Sequence, residues 1–131
     1  MLELMIATAI AAVLVAAAYT SWRNYSDKQR LKYGVIQVAS SLRQSEERAK
    51  AERSPYTITF TASSSTYVIQ KVSGGFVENA QMPTGVTAQG GVTVTFSAFG
   101  VPDAAHTITL QNGSGTKTAT VGAQGAVSYS P

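Results

Sequence analysis

The chain has 131 residues, a formal net charge of +3 and no cysteine. The length allows one globular domain. The lack of cysteine excludes a disulfide framework, a thiol nucleophile and a thiolate metal site. Twelve of the seventeen charged residues lie between Arg23 and Arg53, so the part of the chain after residue 55 is neutral and rich in Thr, Ser, Gly and Val.

The first predicted element is one long helix from Met1 to Arg53. It contains an uncharged stretch of nineteen residues, Leu4 to Trp22, with neither Gly nor Pro. At 1.5 Å per residue this stretch would span roughly 28 Å, close to the hydrocarbon thickness of a bilayer. An aromatic and basic border, typical of a helix leaving an apolar layer, is formed by Tyr19, Trp22, Arg23 and Tyr25.

The pattern therefore predicts a helix that lies in a membrane or in the core of a filament. A signal peptide is disfavoured because the helical pattern continues past the apolar stretch. An ordinary single-pass anchor remains an alternative, although Glu3 argues against it. A carboxylate at the apolar end of a spanning helix is costly unless it is paired or neutralised, which marks Glu3 as a functional residue.

We expect the partner of Glu3 to be a cation, and the amine at the start of a neighbouring chain is the nearest candidate. The alternative is a first-turn acid that only the helix dipole stabilises.

The second half of the helix is predicted to be amphipathic. Apolar residues recur with a 3.5-residue period and draw one stripe, which comprises Leu31, Val35, Val38, Leu42, Ser45 and Ala49. Gly34 is the weak point of this helix, costing up to about 1 kcal/mol relative to Ala. Pro55 ends the helix, because the residue before a proline is pushed out of the α region.

After Pro55 the sequence changes to short alternating runs that predict β-strands. Tyr56–Phe60 and Thr66–Val72 form a predicted hairpin, and Asn79–Gly91 is predicted as a loop with at most a short strand. Further strands are expected at Phe76–Val77, Val92–Phe96, Thr107–Leu110, Thr118–Val121 and Ala126–Tyr129, with a tight turn at Asn112–Gly113.

The fold class is therefore α+β, a long N-terminal α-helix with an antiparallel β-sheet domain packed on its C-terminal half. The predicted parts are an apolar membrane or filament-core helix (1–25), the amphipathic half of the same helix (26–54) and the β domain (55–131).

No group of residues predicts catalysis, a cofactor or a metal site. His106 has only Asp103 nearby, and the glycines around Ser114 fit a hairpin turn better than a phosphate loop. We therefore predict that the chain is not an enzyme. DNA is an alternative partner but is not favoured, because the β domain is neutral. The modest basic patch of Arg23, Lys28, Arg30 and Lys32 is explained equally well by contact with anionic lipid head groups or by a charge bias that sets the orientation of the helix in the membrane.

The segment Leu2-Glu3-Leu4-Met5-Ile6, followed by an Ala/Val/Leu helix, resembles the N-terminus of the type IV pilin superfamily. The segments Leu42–Phe60 and Val94–Pro102 and the closing residues 122–130 are similar to the H-type pseudopilins and the competence minor pilins. The resemblance implies a pilin fold and a structural subunit of a pilus. It implies assembly through Glu3 and through a filament-core helix that includes Leu4, Ile6, Ile10, Val13, Leu14 and Val15, with Leu31, Val35, Val38 and Leu42 under the sheet.

The implied partners are identical or related pilin subunits, inner-membrane lipid before assembly, a prepilin peptidase and the pilus assembly machinery. No cofactor is implied. The implied location is the bacterial inner membrane and then the cell surface. The alternatives that the resemblance leaves open are a minor pilin, a type II secretion pseudopilin and a DNA-binding competence pilin.

Three features depart from the family pattern. The family's Glu is the fifth mature residue and Glu3 is the third here, so two residues are expected to precede Met1 in the mature protein. The helix has no Pro near Thr20, and the C-terminal disulfide loop of many pilins is absent, so we expect another clasp for the sheet.

Overall fold

The computed structural model describes residues 1–130, so residue 131 of the predicted β domain lies outside the described part. Helix α1 runs from Leu2 to Glu52 and confirms the predicted long helix. With 51 residues it is about 77 Å long. It ends where Arg53 adopts a left-handed conformation and the Ser54 amide donates to the Ala49 carbonyl at 3.2 Å. Pro55 then prevents the helix from continuing.

Eight strands follow the helix. Their bounds are β1 Tyr56–Phe60, β2 Thr66–Lys71, β3 Val77–Gln81, β4 Thr87–Ala88, β5 Val92–Phe96, β6 His106–Asn112, β7 Gly115–Val121 and β8 Val127–Tyr129. The predicted β1–β2 hairpin is confirmed, with Ile58 opposite Ile69. The predicted turn at Asn112–Gly113 is confirmed as well, since it joins β6 to β7 with Asn112 opposite Gly115.

The prediction for Asn79–Gly91 is wrong in part, because Asn79, Ala80 and Gln81 belong to strand β3. This edge strand pairs with β2 on one side only and is mostly exposed, so its sequence lacks the apolar alternation that reveals a half-buried strand. The short strand expected within the loop is present as β4.

The strands form two four-stranded antiparallel sheets rather than the single sheet expected from the sequence. The first has the order β3-β2-β1-β5 and the second the order β4-β6-β7-β8. The chain crosses between the sheets before β4, again after β4 and a third time after Phe96, which forms an isolated bridge with Pro102. Both sheets show the same alternation of apolar and Thr residues, so the sequence pattern does not tell which strands pair.

The core lies between the second half of α1 and the inner faces of both sheets. The largest fully buried side chains from the strands and loops are Tyr56, Ile58, Phe60, Tyr67, Val86, Val94, Phe96, Ile108 and Leu110. The opposite faces carry threonines in cross-strand pairs, such as Thr59 opposite Thr93 and Thr109 opposite Thr118. The β domain therefore covers only the second half of the helix.

Candidate assembly site

The first half of α1 projects from the β domain and forms the candidate site. Every residue from 1 to 25 is exposed, and we call residues 2–25 the projecting segment. Its large aliphatic side chains are 53–69 % exposed, namely Leu4, Ile6, Ile10, Val13, Leu14 and Val15. At 100° per residue these six side chains cover about 200° of the helix circumference, and Leu2 and Met5, which are 72 % and 68 % exposed, lie on the remaining side. A helix that is apolar all round requires burial by lipid or by other helices.

Both threonine hydroxyl groups of the projecting segment are compatible with an apolar environment. Within the described residues, α1 is the one helix long and apolar enough to cross a membrane, by length and composition. The Thr8 hydroxyl donates to the Met5 carbonyl at 2.9 Å, and the Thr20 hydroxyl donates to the Ala16 carbonyl at 3.2 Å. Both hydroxyls are thus satisfied within the helix, and burying them leaves no donor unpaired.

Glu3 lies in the first turn of α1 and is the one charged side chain before Arg23. Among residues 1–130 it has neither a hydrogen-bond partner nor an ion-pair partner. A carboxylate that is buried in an apolar layer is costly unless it is paired or neutralised. Burial of the projecting segment would therefore leave the charge of Glu3 uncompensated by the described residues of its own chain.

The border of the projecting segment is aromatic and basic. Tyr19, Trp22 and Tyr25 are all at least 61 % exposed, and Arg23 lies between them. Rings of this kind reside at the head-group level of a membrane, with their apolar bodies on one side and their polar atoms in water.

The second half of α1 is buried under the sheets. Leu31, Val35, Val38 and Leu42 are at most 3 % exposed and lie in one cluster with the strand residues. Polar contacts flank this cluster. The Gln37 amide donates to the Gln81 carbonyl at 2.8 Å, and the Ser41 hydroxyl lies 2.7 Å from the Tyr67 hydroxyl.

Hydrogen bonds hold the C-terminal strand in place. Arg43 of the helix donates to the Val127 carbonyl of β8 at 3.0 Å. Ser130 and Thr118 exchange two bonds, one from the Ser130 amide at 2.9 Å and one from the Thr118 amide to the Ser130 hydroxyl at 3.0 Å. The contacts of Gln37, Ser41 and Arg43 cannot be recognised in the sequence, because their partners lie far away in the chain.

The single histidine forms a local contact between strands. His106 Nε2 lies 2.9 Å from Asp103 Oδ1, and the same oxygen accepts a hydrogen bond from the Thr95 amide at 3.4 Å. Partial desolvation opposes ionisation of Asp103, but the bonds from His106 and Thr95 outweigh it and hold its pKa below the usual value. The described residues include no group of three or more His, Cys, Asp or Glu side chains that could hold a metal. The pair links the β5–β6 loop to the first residue of β6 and, through Thr95, to β5.

Comparison with known proteins places the fold. No protein-family model and no curated protein matches the chain. The crystal structure of the type IV minor pilin FimU from Pseudomonas aeruginosa strain PAO1 is similar, with a TM-score of 0.62 and 12 % identity. The match covers 82 % of this chain and 92 % of that one. The chain therefore has the type IV pilin fold, with a long N-terminal helix and an antiparallel β domain over its second half.

Proposed function

We propose that this chain is a structural subunit of a type IV pilus, in which the projecting segments of many subunits form the filament core. The observation that carries this proposal is the projecting segment itself, which is apolar on all sides and has no partner within the described chain. Burying a large aliphatic side chain contributes about 1.5–3 kcal/mol. Six such side chains therefore provide a strong drive for burial away from water, which membrane lipid satisfies before assembly and neighbouring helices satisfy afterwards.

Glu3 is the residue that we assign to assembly. In a filament core built from apolar helices, its carboxylate needs a cation, and the N-terminal amine of a neighbouring subunit is the expected one. The N-terminal amine of each subunit would likewise pair with Glu3 of another neighbouring subunit. This pairing fixes the axial position of each helix as well as compensating its charge.

The same helix has two successive environments in this proposal. Before assembly the projecting segment lies in inner-membrane lipid, and afterwards it lies among other pilin helices in a pilus at the cell surface. A prepilin peptidase and the pilus assembly machinery act on the chain between these states. The pilus would then support surface functions such as motility, adhesion or DNA uptake.

A minor pilin or a type II secretion pseudopilin is the second candidate function. The observation that favours it is that the similar solved structure is that of a minor pilin. Abundance distinguishes the two candidates, since a main subunit dominates fibres sheared from the cell surface by mass. A minor subunit is present there only in trace amounts.

A DNA-binding pilin is the third candidate and the least supported. Lys71 of the β domain pairs with Glu52 at 3.5 Å, and Arg48 of the helix pairs with Glu78 at 3.3 Å, so neither cation forms part of a free basic face. Absence of salt-dependent DNA retention by the full chain in neutral detergent would eliminate this candidate.

The proposal is tested by Glu3→Ala, with Thr8→Ala as the control in the same helix. Cells that produce each variant are separated into membranes and sheared surface fibres. We expect Glu3→Ala to remain in the membrane at wild-type amounts but to be lost from the fibres, whereas Thr8→Ala enters both fractions. A normal fibre yield from Glu3→Ala would remove the assembly role of Glu3.

A further inference from the structure

A groove of about 620 Å³ lies where α1 emerges from beneath the β domain. Trp22, Arg23 and Arg30 line its helix side, and Gly85 and Gly113 line the side formed by two loops of the β domain. Both glycines lack side chains that would fill the space, and a Cβ at Gly85 would have no atom within 4 Å. The proposed assembly of the projecting segment does not account for this groove.

Three charged residues of the groove lie along one face of the helix. Arg23, Asp27 and Arg30 are spaced at i, i+4 and i+7, which places them on one stripe with alternating charge. Their spacing permits ion pairs, yet none of these three side chains is paired within the described chain. By contrast, Arg43 and Arg48 of the same helix both have partners in the β domain.

The loop side of the groove is held in place by hydrogen bonds. Asn112 donates from its side-chain amide to the Asp27 carbonyl at 2.6 Å. Its side-chain oxygen accepts bonds from the amide of Ser114 at 2.9 Å and from the hydroxyl of Ser114 at 2.7 Å. The β6–β7 turn is thus fixed against the helix, and the groove is formed before any ligand binds.

The groove lies at the level where lipid head groups would meet the protein. When residues 4–22 fill the hydrocarbon layer, Arg23 is the first residue outside it and Arg30 lies about 10 Å further along the axis. Guanidinium groups bind phosphate through paired hydrogen bonds. A ligand that also carries an ammonium group would satisfy the carboxylate of Asp27 between the two arginines.

We propose that this groove binds the phosphoethanolamine head group of a phospholipid while the chain resides in the membrane. Arg23 and Arg30 bind the phosphate, and Asp27 accepts hydrogen bonds from the ammonium group. A choline head group carries the same charges but has no N–H to donate, and a glycerol head group has no cation. This inference rests on the membrane stage of the proposed function.

Trp22 provides the measurement, because it is the single tryptophan of the chain and lines the groove. The full chain in neutral detergent micelles is titrated with phosphatidylethanolamine, phosphatidylcholine or phosphatidylglycerol while Trp22 fluorescence is followed. We expect phosphatidylethanolamine to bind at least about fivefold more tightly than the other two lipids, because one additional charge-assisted hydrogen bond accounts for a difference of this size.

The variants divide this preference into its parts. In Asp27→Asn, the affinity for phosphatidylethanolamine should fall to within about twofold of the affinity for phosphatidylcholine. In the double variant Arg23→Gln with Arg30→Gln, the affinity for both lipids should fall about tenfold. Lys28→Gln with Lys32→Gln is the charge-matched control, since these residues line a different surface; it should leave the preference for phosphatidylethanolamine over phosphatidylcholine unchanged. Circular dichroism checks that each variant is folded.

Equal binding of the three lipids by the wild-type chain would overturn the proposal. Tighter binding of phosphatidylglycerol, with no effect of Asp27→Asn, would overturn it as well and indicate a simple anion site. Neither result bears on filament assembly, which the Glu3→Ala fractionation tests separately. Failure of the wild-type chain to enter vesicles in a flotation assay would instead contradict the membrane stage, on which both the groove proposal and the proposed function rest.

Discussion

Gly34 of α1 packs directly against Val86, and a Cβ added at Gly34 would lie 3.1 Å from Val86 Cγ1. Pro83 Cδ and Leu110 Cδ1 would be 3.5 and 3.7 Å from the same position. The sequence identified Gly34 only as a weak point of the helix. The structure shows that the missing side chain allows the loop before β4 to approach the helix backbone.

Replacing Gly34 by Leu should therefore destabilise the β domain. The new side chain enters space that Val86 and Leu110 already occupy, and overpacking of this kind costs about 1–3 kcal/mol. Thermal unfolding of the full chain in detergent, followed by circular dichroism, measures the effect. Tyr33→Leu is the control because Tyr33 is exposed. An unfolding temperature for Gly34→Leu at or above that of the control would contradict the packing described here.

Two serines on the buried side of α1 should respond oppositely to substitution. The buried hydroxyl of Ser45 has no hydrogen-bond partner within residues 1–130, whereas that of Ser41 is bonded to Tyr67. Ser45→Ala removes an unsatisfied polar group and improves helix propensity, so it should stabilise the fold by up to about 1 kcal/mol. Ser41→Ala makes the same gain in helix propensity, but the Tyr67 hydroxyl loses a partner, so this variant should destabilise the fold by up to about 1 kcal/mol. The same unfolding measurement compares them, and equal shifts for both variants would refute the distinction.

The contact of Glu52 with Tyr56 at the end of α1 should make the stability of the fold depend on pH in the acidic range. The Tyr56 hydroxyl donates to the Glu52 carboxylate, and this bond is the main reason that the pKa of Glu52 lies below 4.5. Lys71 lowers this pKa further, while desolvation opposes both. Because the folded-state pKa is depressed, the contribution to stability is complete above pH 4.5 and is lost as the pH falls through the folded-state value.

The variant that isolates this contribution is Tyr56→Phe, which keeps the buried ring and removes the donor. Its unfolding temperature should fall less steeply than that of the wild type between about pH 6 and about pH 3. Asp103 also has a lowered pKa, but it contributes equally to both proteins and cancels in the comparison. Parallel curves for the two proteins would show that Tyr56 does not lower the pKa of Glu52.

Strong periodic signals made most of the fold predictable from the sequence. The helix followed from an apolar stretch, a 3.5-residue stripe and Pro55, and the hairpins followed from alternation and Asn112–Gly113. The division into two sheets did not follow, because alternation fixes the buried face of a strand but not its neighbours. Strand β3 was mostly missed because its exposed edge position removes the alternation.

The candidate site was predictable in part for a similar reason. Glu3 can be recognised from the sequence alone, because the free-energy cost of a carboxylate in lipid does not depend on the rest of the fold. The groove cannot be recognised from the sequence, because Arg23 and Arg30 lie near Gly85 and Gly113 only after the β domain has folded onto the helix. The contacts of Gln37, Ser41 and Arg43 were equally hidden in the sequence.

Photocrosslinking within fibres tests the central claim, that the projecting segment is buried among the helices of other subunits. A benzoylphenylalanine is placed at Val13, which is 69 % exposed in the isolated chain, and fibres sheared from the cells are irradiated. We expect the chain in the fibres to form covalent products with a second pilin subunit, and the same probe with Glu3→Ala to yield none. Fibres that contain the chain but yield no crosslink to protein, or fibres that lack the chain altogether, would contradict the account.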